Sequence, residues 1–131
     1  VNVFFELNAY LAKMMQNLKQ YRVSIEEIHH TQKLDAPRGT AITVAEGIIK
    51  NTEYKDWKLD TAEDGEIPIT AKRIDDVPGT HTITYNSKVD DIEIKHTAHS
   101  REGFALGAVV AAEWIIGKKG VFTMKDVLNL G

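Results

Sequence analysis

The residues from Ile28 to Ala41, which read IHHTQKLDAPRGTA, bring groups that carry protons next to groups that bind anions. His29 and His30 can each gain or lose a proton near neutral pH. Lys33 follows at short range and supplies a positive charge or a further proton. This combination suits a small anionic substrate that gains or loses a proton during a reaction.

The same segment predicts the start of a helix. Asp35 can cap the helix and Pro37 favours its first turn, so Gly39 and Thr40 fall where backbone N–H groups have no partner within the helix. These N–H groups and the positive end of the helix dipole suit a carboxylate or a phosphate. Most helix starts nevertheless bind only water. The Gly-x-x-x-x-Gly-Lys spacing of a phosphate-binding loop is absent from the sequence.

Arg101 follows a predicted strand and begins another predicted helix. A cation is unfavourable at the amino end of a helix, so this arginine suggests a second contact with an anion or a pair between subunits. Arg73 and His81 are further polar residues on the predicted strands. For both of them, a position exposed to solvent is at least as good an interpretation as a functional one.

Zinc binding is the competing use of the histidines. The sequence contains no cysteine, no His-x-x-x-His pair and no Glu-containing zincin motif. Neighbouring histidines on one strand point to opposite faces and suit a single tetrahedral ion poorly. We therefore predict no metal site, and a metal-binding domain is kept as an alternative. The five histidines are His29, His30, His81, His96 and His99.

Length and charge exclude several classes of protein. A chain of 131 residues predicts one domain with a real core. The 16 basic and 19 acidic side chains give a formal net charge of −3, which argues against a general nucleic-acid binder. No segment has the pattern of a membrane span or a signal peptide, and a cytoplasmic location fits. The chain begins without methionine, so we expect it to be part of a longer protein.

The hydrophobic periodicity predicts helices and strands in the order αβα, three strands, then αα. The fold class is therefore α+β, with a mixed, mainly four-stranded sheet and helices packed on one face. The predicted elements are a helix from about Asn2 to Gln20, a strand at Arg22–His29, a helix to about Lys50, a surface connection at 51–65, strands at Ile67–Arg73, Thr80–Tyr85 and Ile92–Thr97, a helix from about Arg101 to Ile116, and a short helix through Leu128.

Residues Glu27 to Ala41, EIHHTQKLDAPRGTA, closely resemble the signature of the dihydrodipicolinate reductase family, E-x-HH-x-x-K-x-D-A-P-S-G-T-A. Arg38 stands where the family usually has serine. The resemblance extends along the whole chain, through the opening VNVFFEL, the glycine-x-histidine strand VPGTHTI, the Ser-Arg step HSREGFALGA and the closing GVFTMKDVLNL.

The resemblance implies reduction of a cyclic dicarboxylate imine to tetrahydrodipicolinate, with hydride from NADPH or NADH, in lysine and diaminopimelate biosynthesis. By matched position it implies that His29 and Lys33 supply protons. It also implies that substrate contacts come from His30, Gly39, Thr40 and Arg101, and that Arg38 either adds a contact to a carboxylate or crowds the site.

The resemblance further implies that residues 1–131 form the C-terminal substrate-binding and catalytic domain. The glycine-rich turn of a dinucleotide-binding Rossmann domain is absent from the sequence, so the cofactor would be bound mainly by another domain and the isolated chain would be inactive. In the family the free face of the sheet makes the contacts of a homotetramer. A module that serves only for assembly is the alternative function.

Overall fold

The computed structural model describes residues 1–29, 39–74, 79–99 and 102–130. The predicted start of the second helix, at Asp35 and Pro37, lies outside these ranges. The structure therefore does not place four of the predicted site residues, which are His30, Lys33, Arg38 and Arg101.

Nine elements follow one another along the described residues, and the predicted order αβα, strands, αα is confirmed. The first strand separates the first two helices. The elements are α1 (Asn2–Met15), β1 (Arg22–His29), α2 (Gly39–Asn51), β2 (Asp56–Leu59), β3 (Glu66–Arg73), β4 (Gly79–Asn86), β5 (Asp91–Ala98), α3 (Glu102–Ile115) and α4 (Met124–Val127).

The sheet has five strands in the order β2-β3-β1-β4-β5, so β1 lies at its centre. β1 pairs with β3 in parallel and with β4 antiparallel. The prediction of a mainly four-stranded sheet is wrong by one strand, since the segment 51–65 contains β2, which pairs with β3 in parallel. β2 has four residues and only Trp57 is partly buried, so its sequence carries little of the alternation that marks a strand.

Helices α1 and α2 pack together on one face of the sheet. The side-chain amide of Asn8 on α1 donates a hydrogen bond to the carbonyl of Val44 on α2 at 3.0 Å, and both residues are buried. Beneath the helices the strands contribute branched apolar side chains to the core, as their β propensity favours. The apolar strand residues of this core are Val23, Ile25, Ile67, Ile69, Ile83 and Tyr85.

The covered face of β1 changes from apolar to polar along the strand. Val23 and Ile25 are buried in the core, and Glu27 and His29 follow on the same face because side chains alternate along a strand. Ile25 lies opposite Ile69 on β3 and Ile83 on β4, so the apolar part extends across three strands. The polar part lies at the carboxyl end of β1.

The uncovered face of the sheet is polar. Lys72 forms an ion pair with Glu26 at 3.0 Å, and Thr84 donates a hydrogen bond to Glu93 at 3.2 Å. Such exposed pairs contribute little to stability, so this face is free to serve a purpose other than holding the domain together.

Helices α3 and α4 contact one another at the end of the chain. The rings of Trp114 and Phe122 meet edge to face with centroids 4.9 Å apart, and the Lys118 ammonium lies 4.3 Å above the Trp114 ring. Thr123 and Asp126 form a capping box that begins α4. Within the described residues, no helix combines the length and the apolar character needed to span a membrane.

Candidate active site

Four polar side chains from three neighbouring strands meet on the covered face of the sheet. Glu27 and His29 come from the end of β1, Arg73 from the end of β3 and His81 from the start of β4. The strand register explains the meeting, because Glu27 is paired with His81 and His29 with Arg73. Glu27, His29 and His81 are at most 5% exposed. We call these four residues the polar cluster.

Glu27 forms the anionic centre of the polar cluster. Its Oε1 accepts a hydrogen bond from Nη2 of Arg73 at 3.2 Å. Its Oε2 lies 3.9 Å from Nε2 of His29 and 3.9 Å from Nε2 of His81. A buried carboxylate is costly without partners, and here a guanidinium faces one oxygen while two imidazoles face the other.

The two imidazoles are in direct contact. Nε2 of His29 lies 3.4 Å from Nε2 of His81, and the rings meet edge to face with centroids 5.1 Å apart and an interplanar angle of 66°. A hydrogen bond between two such nitrogens needs one that carries hydrogen and one that is bare. The two rings therefore differ in whether Nε2 carries the hydrogen.

Gly79 forms one wall around the ring of His29. A Cβ added to Gly79 would lie 2.9 Å from Cε1 and 3.2 Å from Nδ1 of that ring. The backbone φ of Gly79 is +156°, a value that residues with a Cβ atom rarely adopt. Glycine at this position therefore allows the imidazole to lie against the backbone of β4.

Replacing Gly79 with alanine is expected to lower the free energy of unfolding by about 1–3 kcal/mol, since the new methyl group overpacks the site. It should also displace the His29 ring, because the ring must shift to make room for the methyl group. Gly65→Ala is the matched control: Gly65 has φ +85°, yet no described atom lies within 4 Å of an added Cβ. That control should lose stability through backbone strain and leave the NMR signals of the His29 ring unchanged. Equal shifts of these signals in both variants would contradict the role given to Gly79.

His96 on β5 borders the polar cluster, since it is paired with His81 in the sheet. Its ring lies 5.7 Å from the ring of Phe4 on α1. Burial lowers the pKa of His96, so this imidazole is neutral at pH 7 and adds no charge to the cluster.

The polar cluster also contains the one group of possible metal ligands found in the described residues. Ligand atoms of Glu27, His29 and His81 all lie within 4.8 Å of one another. The Arg73 guanidinium, 3.2 Å from the same carboxylate, opposes a cation there by charge repulsion. We therefore interpret the cluster as a hydrogen-bonded network around an ion pair.

The structure places three of the predicted site residues. His29 lies in the polar cluster and is 3% exposed. Gly39 and Thr40 form the first turn of α2, where Gly39 is exposed and Thr40 partly buried. No described atom lies within 4 Å of a Cβ built on Gly39, so none of the described side chains packs against this glycine.

The solvent-exposed interpretation of Arg73 and His81 is wrong. His81 is 5% exposed and the Arg73 side chain is 20% exposed, and each faces Glu27. One signal in the sequence pointed to such partners: the alternation of β1 puts Glu27 on the same side as Val23 and Ile25. A carboxylate on an apolar face requires a cation or hydrogen-bond donors nearby.

Comparisons with known proteins show the family of the chain. The family model described as "Dihydrodipicolinate reductase, C-terminus" matches residues 1–128. A protein of Christiangramia forsetii named 4-hydroxy-tetrahydrodipicolinate reductase is 65% identical over 98% of this chain and 54% of its own length. A protein of the same name from Methanosarcina mazei is 44% identical over 99% of this chain and 50% of its own length.

A solved structure has the same fold. It is titled "Dipicolinate bound Dihydrodipicolinate reductase from Paenisporosarcina sp. TG-14", and it is similar with a TM-score of 0.64 and 24% identity over 93% of this chain and 51% of that chain. The chain spans about half the length of the curated relatives it matches. Because the family model covers nearly all of its residues, the chain belongs to the dihydrodipicolinate reductase C-terminal family.

Proposed function

We propose that this chain is the substrate-binding and catalytic domain of an NAD(P)H-dependent 4-hydroxy-tetrahydrodipicolinate reductase. The observation that carries the proposal is the family match over residues 1–128, together with the relative of that name at 65% identity. The buried histidine at the end of β1, His29, would supply the proton chemistry that such a reduction needs. The reductase acts in lysine and diaminopimelate biosynthesis, for which the cytoplasm is the expected location.

The cofactor would be held outside this chain. NADPH or NADH supplies a hydride to the substrate ring when it is bound. The described parallel strands do not fit a dinucleotide site, because residues 30–38, which join β1 to α2 and read HTQKLDAPR, contain no glycine where a glycine-rich turn would be required. We therefore assign residues 1–131 to one C-terminal domain and cofactor binding to another part of the intact enzyme.

A dicarboxylate substrate would be held at the amino end of α2. The backbone N–H groups of Gly39 and Thr40 would bind one carboxylate, since they lie in the first turn of α2, where the helix dipole favours negative charge. His30 matches the family signature in the same segment, and Arg38 stands there at the position of the usual serine. Arg101 would contact the other carboxylate. Two anchored carboxylates would fix the ring in one orientation for hydride arrival.

The proton would come from His29 or Lys33. Adding hydride to the substrate ring leaves a neighbouring atom electron-rich, and a proton completes the reduction. His29 is the candidate donor within the described residues, since its imidazole is held in the polar cluster at the strand end. Lys33, four residues later, is the second candidate by its place in the signature.

The uncovered sheet face would join subunits in a homotetramer. Its support is the polar surface that carries the Glu26–Lys72 pair and that no described helix of the chain covers. Light scattering on the intact enzyme would measure the mass of the assembly. A monomer at micromolar concentration would contradict this part of the proposal.

Turnover by the intact enzyme tests the proposed function. We expect it to oxidise NADPH or NADH when the substrate is generated in situ, and we expect pyridine-2,6-dicarboxylate, a planar dicarboxylate, to inhibit competitively. The isolated 131-residue chain should oxidise no cofactor, because it lacks the cofactor domain. An intact enzyme without substrate-dependent oxidation would refute the proposal. Turnover by the isolated chain would refute the assignment of the cofactor site.

A further inference from the structure

His29 is held by neighbours on both sides. Its Nε2 faces Nε2 of His81 at 3.4 Å, and the backbone of Gly79 lies against its Cε1 and Nδ1 edge. Both neighbours belong to β4, the antiparallel partner of β1. The His29 ring is 3% exposed, and it cannot flip by 180° without moving His81 or the Gly79 backbone.

The contact with His81 determines more than orientation. A neutral imidazole carries its hydrogen on either Nδ1 or Nε2, and the hydrogen bond made by one nitrogen selects the tautomer of the whole ring. The Nε2–Nε2 hydrogen bond permits one hydrogen between the two rings. Whichever ring donates, the tautomer of His29 is therefore set by that of His81.

The Glu27–Arg73 ion pair holds the two rings where they meet. Arg73 contacts Oε1 of Glu27, and this leaves Oε2 directed towards both imidazole Nε2 atoms at 3.9 Å. The arrangement follows a general pattern. One group transfers the proton, a second group orients it, and a third group holds the second in place. Here the order is Arg73, Glu27, then the two histidines.

We propose that His81 is a positioning residue for His29, which selects the tautomer and ring direction from which His29 delivers a proton. The assignment rests on the proposed function, since that function makes His29 the proton donor. His81 itself touches neither substrate nor cofactor in this scheme. Its effect reaches the reaction through the Nε2–Nε2 hydrogen bond.

Kinetics of two His81 variants in the intact enzyme test the positioning role. His81→Leu removes the hydrogen bond and should lower kcat by about 10-fold or more. This loss should be smaller than the ~10²–10⁴-fold loss expected when the proton donor itself is removed. The KM for the substrate should stay near the wild-type value. His81→Gln places an amide near the former Nε2 and should restore most of kcat. Equal kcat losses in the two variants, or a change in KM alone, would overturn the proposal.

Tyr85→Phe is the matched control for packing on β4. Tyr85 lies on the same face of the strand, is 3% exposed, and its hydroxyl has no hydrogen-bond partner among the described residues. This variant alters a buried side chain of the same strand and leaves His29 untouched. It should keep the wild-type kcat. A loss equal to that of His81→Leu would show that any disturbance of β4 lowers activity and would overturn the proposal.

Nitrogen-15 NMR of labelled histidines reads the tautomers without any turnover. In the wild-type intact enzyme, one ring of the pair should carry hydrogen on Nε2 and the other should have a bare Nε2. In His81→Leu, His29 should become a mixture of tautomers, and His81→Gln should return it to one. Two rings with the same tautomer in the wild type would overturn the proposal, even if His81→Leu fails to fold.

These two experiments separate the inference from the proposed function. Wild-type turnover decides whether the protein is the reductase. The wild-type NMR spectrum decides whether His29 and His81 share one hydrogen. An active enzyme with two identical tautomers would retain the function and reject the role of His81.

Discussion

Replacing His29 with glutamine in the intact enzyme is expected to lower kcat by about 10²–10⁴-fold, the range that a positioned proton donor contributes. Glutamine can keep a hydrogen bond to His81, which lies 3.4 Å from the imidazole, but an amide cannot transfer a proton at neutral pH. The loss should therefore fall on kcat, while the KM for the substrate changes little. Steady-state oxidation of NADPH or NADH over a range of substrate concentrations measures both constants.

His99→Gln provides the control for this experiment. His99 is exposed and follows the end of β5, outside the polar cluster. It should keep the wild-type kcat. A His29→Gln enzyme with kcat within a few-fold of wild type would contradict the role of His29 and would leave Lys33 as the candidate donor.

Replacing Glu27 with leucine is expected to lower the free energy of unfolding by about 3–5 kcal/mol, the cost of leaving a buried charge without its partner. The Glu27 side chain is 0% exposed and that of Arg73 is 20% exposed, so the guanidinium would lose its carboxylate in a mostly dry site. The residual exposure of Arg73 favours the lower end of this range. Urea denaturation of the 131-residue chain, with wild type and variant compared at equal m-value, measures the change.

Two further variants define the origin of the effect. Glu26→Leu removes the carboxylate that pairs with Lys72. The Glu26 side chain is 38% exposed and that of Lys72 is 52% exposed, so the free energy of unfolding should fall by less than about 1 kcal/mol. Glu27→Leu combined with Arg73→Met removes both charges and should recover most of the lost stability. A Glu27→Leu chain as stable as Glu26→Leu would show that the Glu27–Arg73 pair behaves as a surface pair.

Four of the five strands could be predicted because their alternation follows directly from burial on one face. The bounds of β1 agree with the prediction, and those of β3, β4 and β5 differ by one residue at their ends. The first helix was predicted to reach Gln20, but α1 ends at Met15. Leu18 has helical spacing, yet it is 42% exposed and its N–H donates to the carbonyl of Met15 in a turn. Spacing alone does not distinguish a last helical turn from the turn that follows it.

Only the part of the candidate site that is continuous in sequence could be predicted. His29 belongs to a signature that is continuous in sequence, and its position at a strand end could be read from the same segment. His81 and Arg73 lie 52 and 46 residues away from their partners His29 and Glu27. Their meeting depends on which strands are neighbours and in what register, and alternation within each strand contains neither fact.

The central position of β1 has a consequence for how activity is lost on heating. Residues Ile25 to Ile28 pair with β3 on one edge and with β4 on the other, directly before His29. Amide hydrogens in such a strand exchange with solvent only when the whole domain opens. Deuterium uptake at Glu27 and Ile28 should therefore begin at the same temperature as inactivation, with no earlier loosening of the histidine that ends the strand.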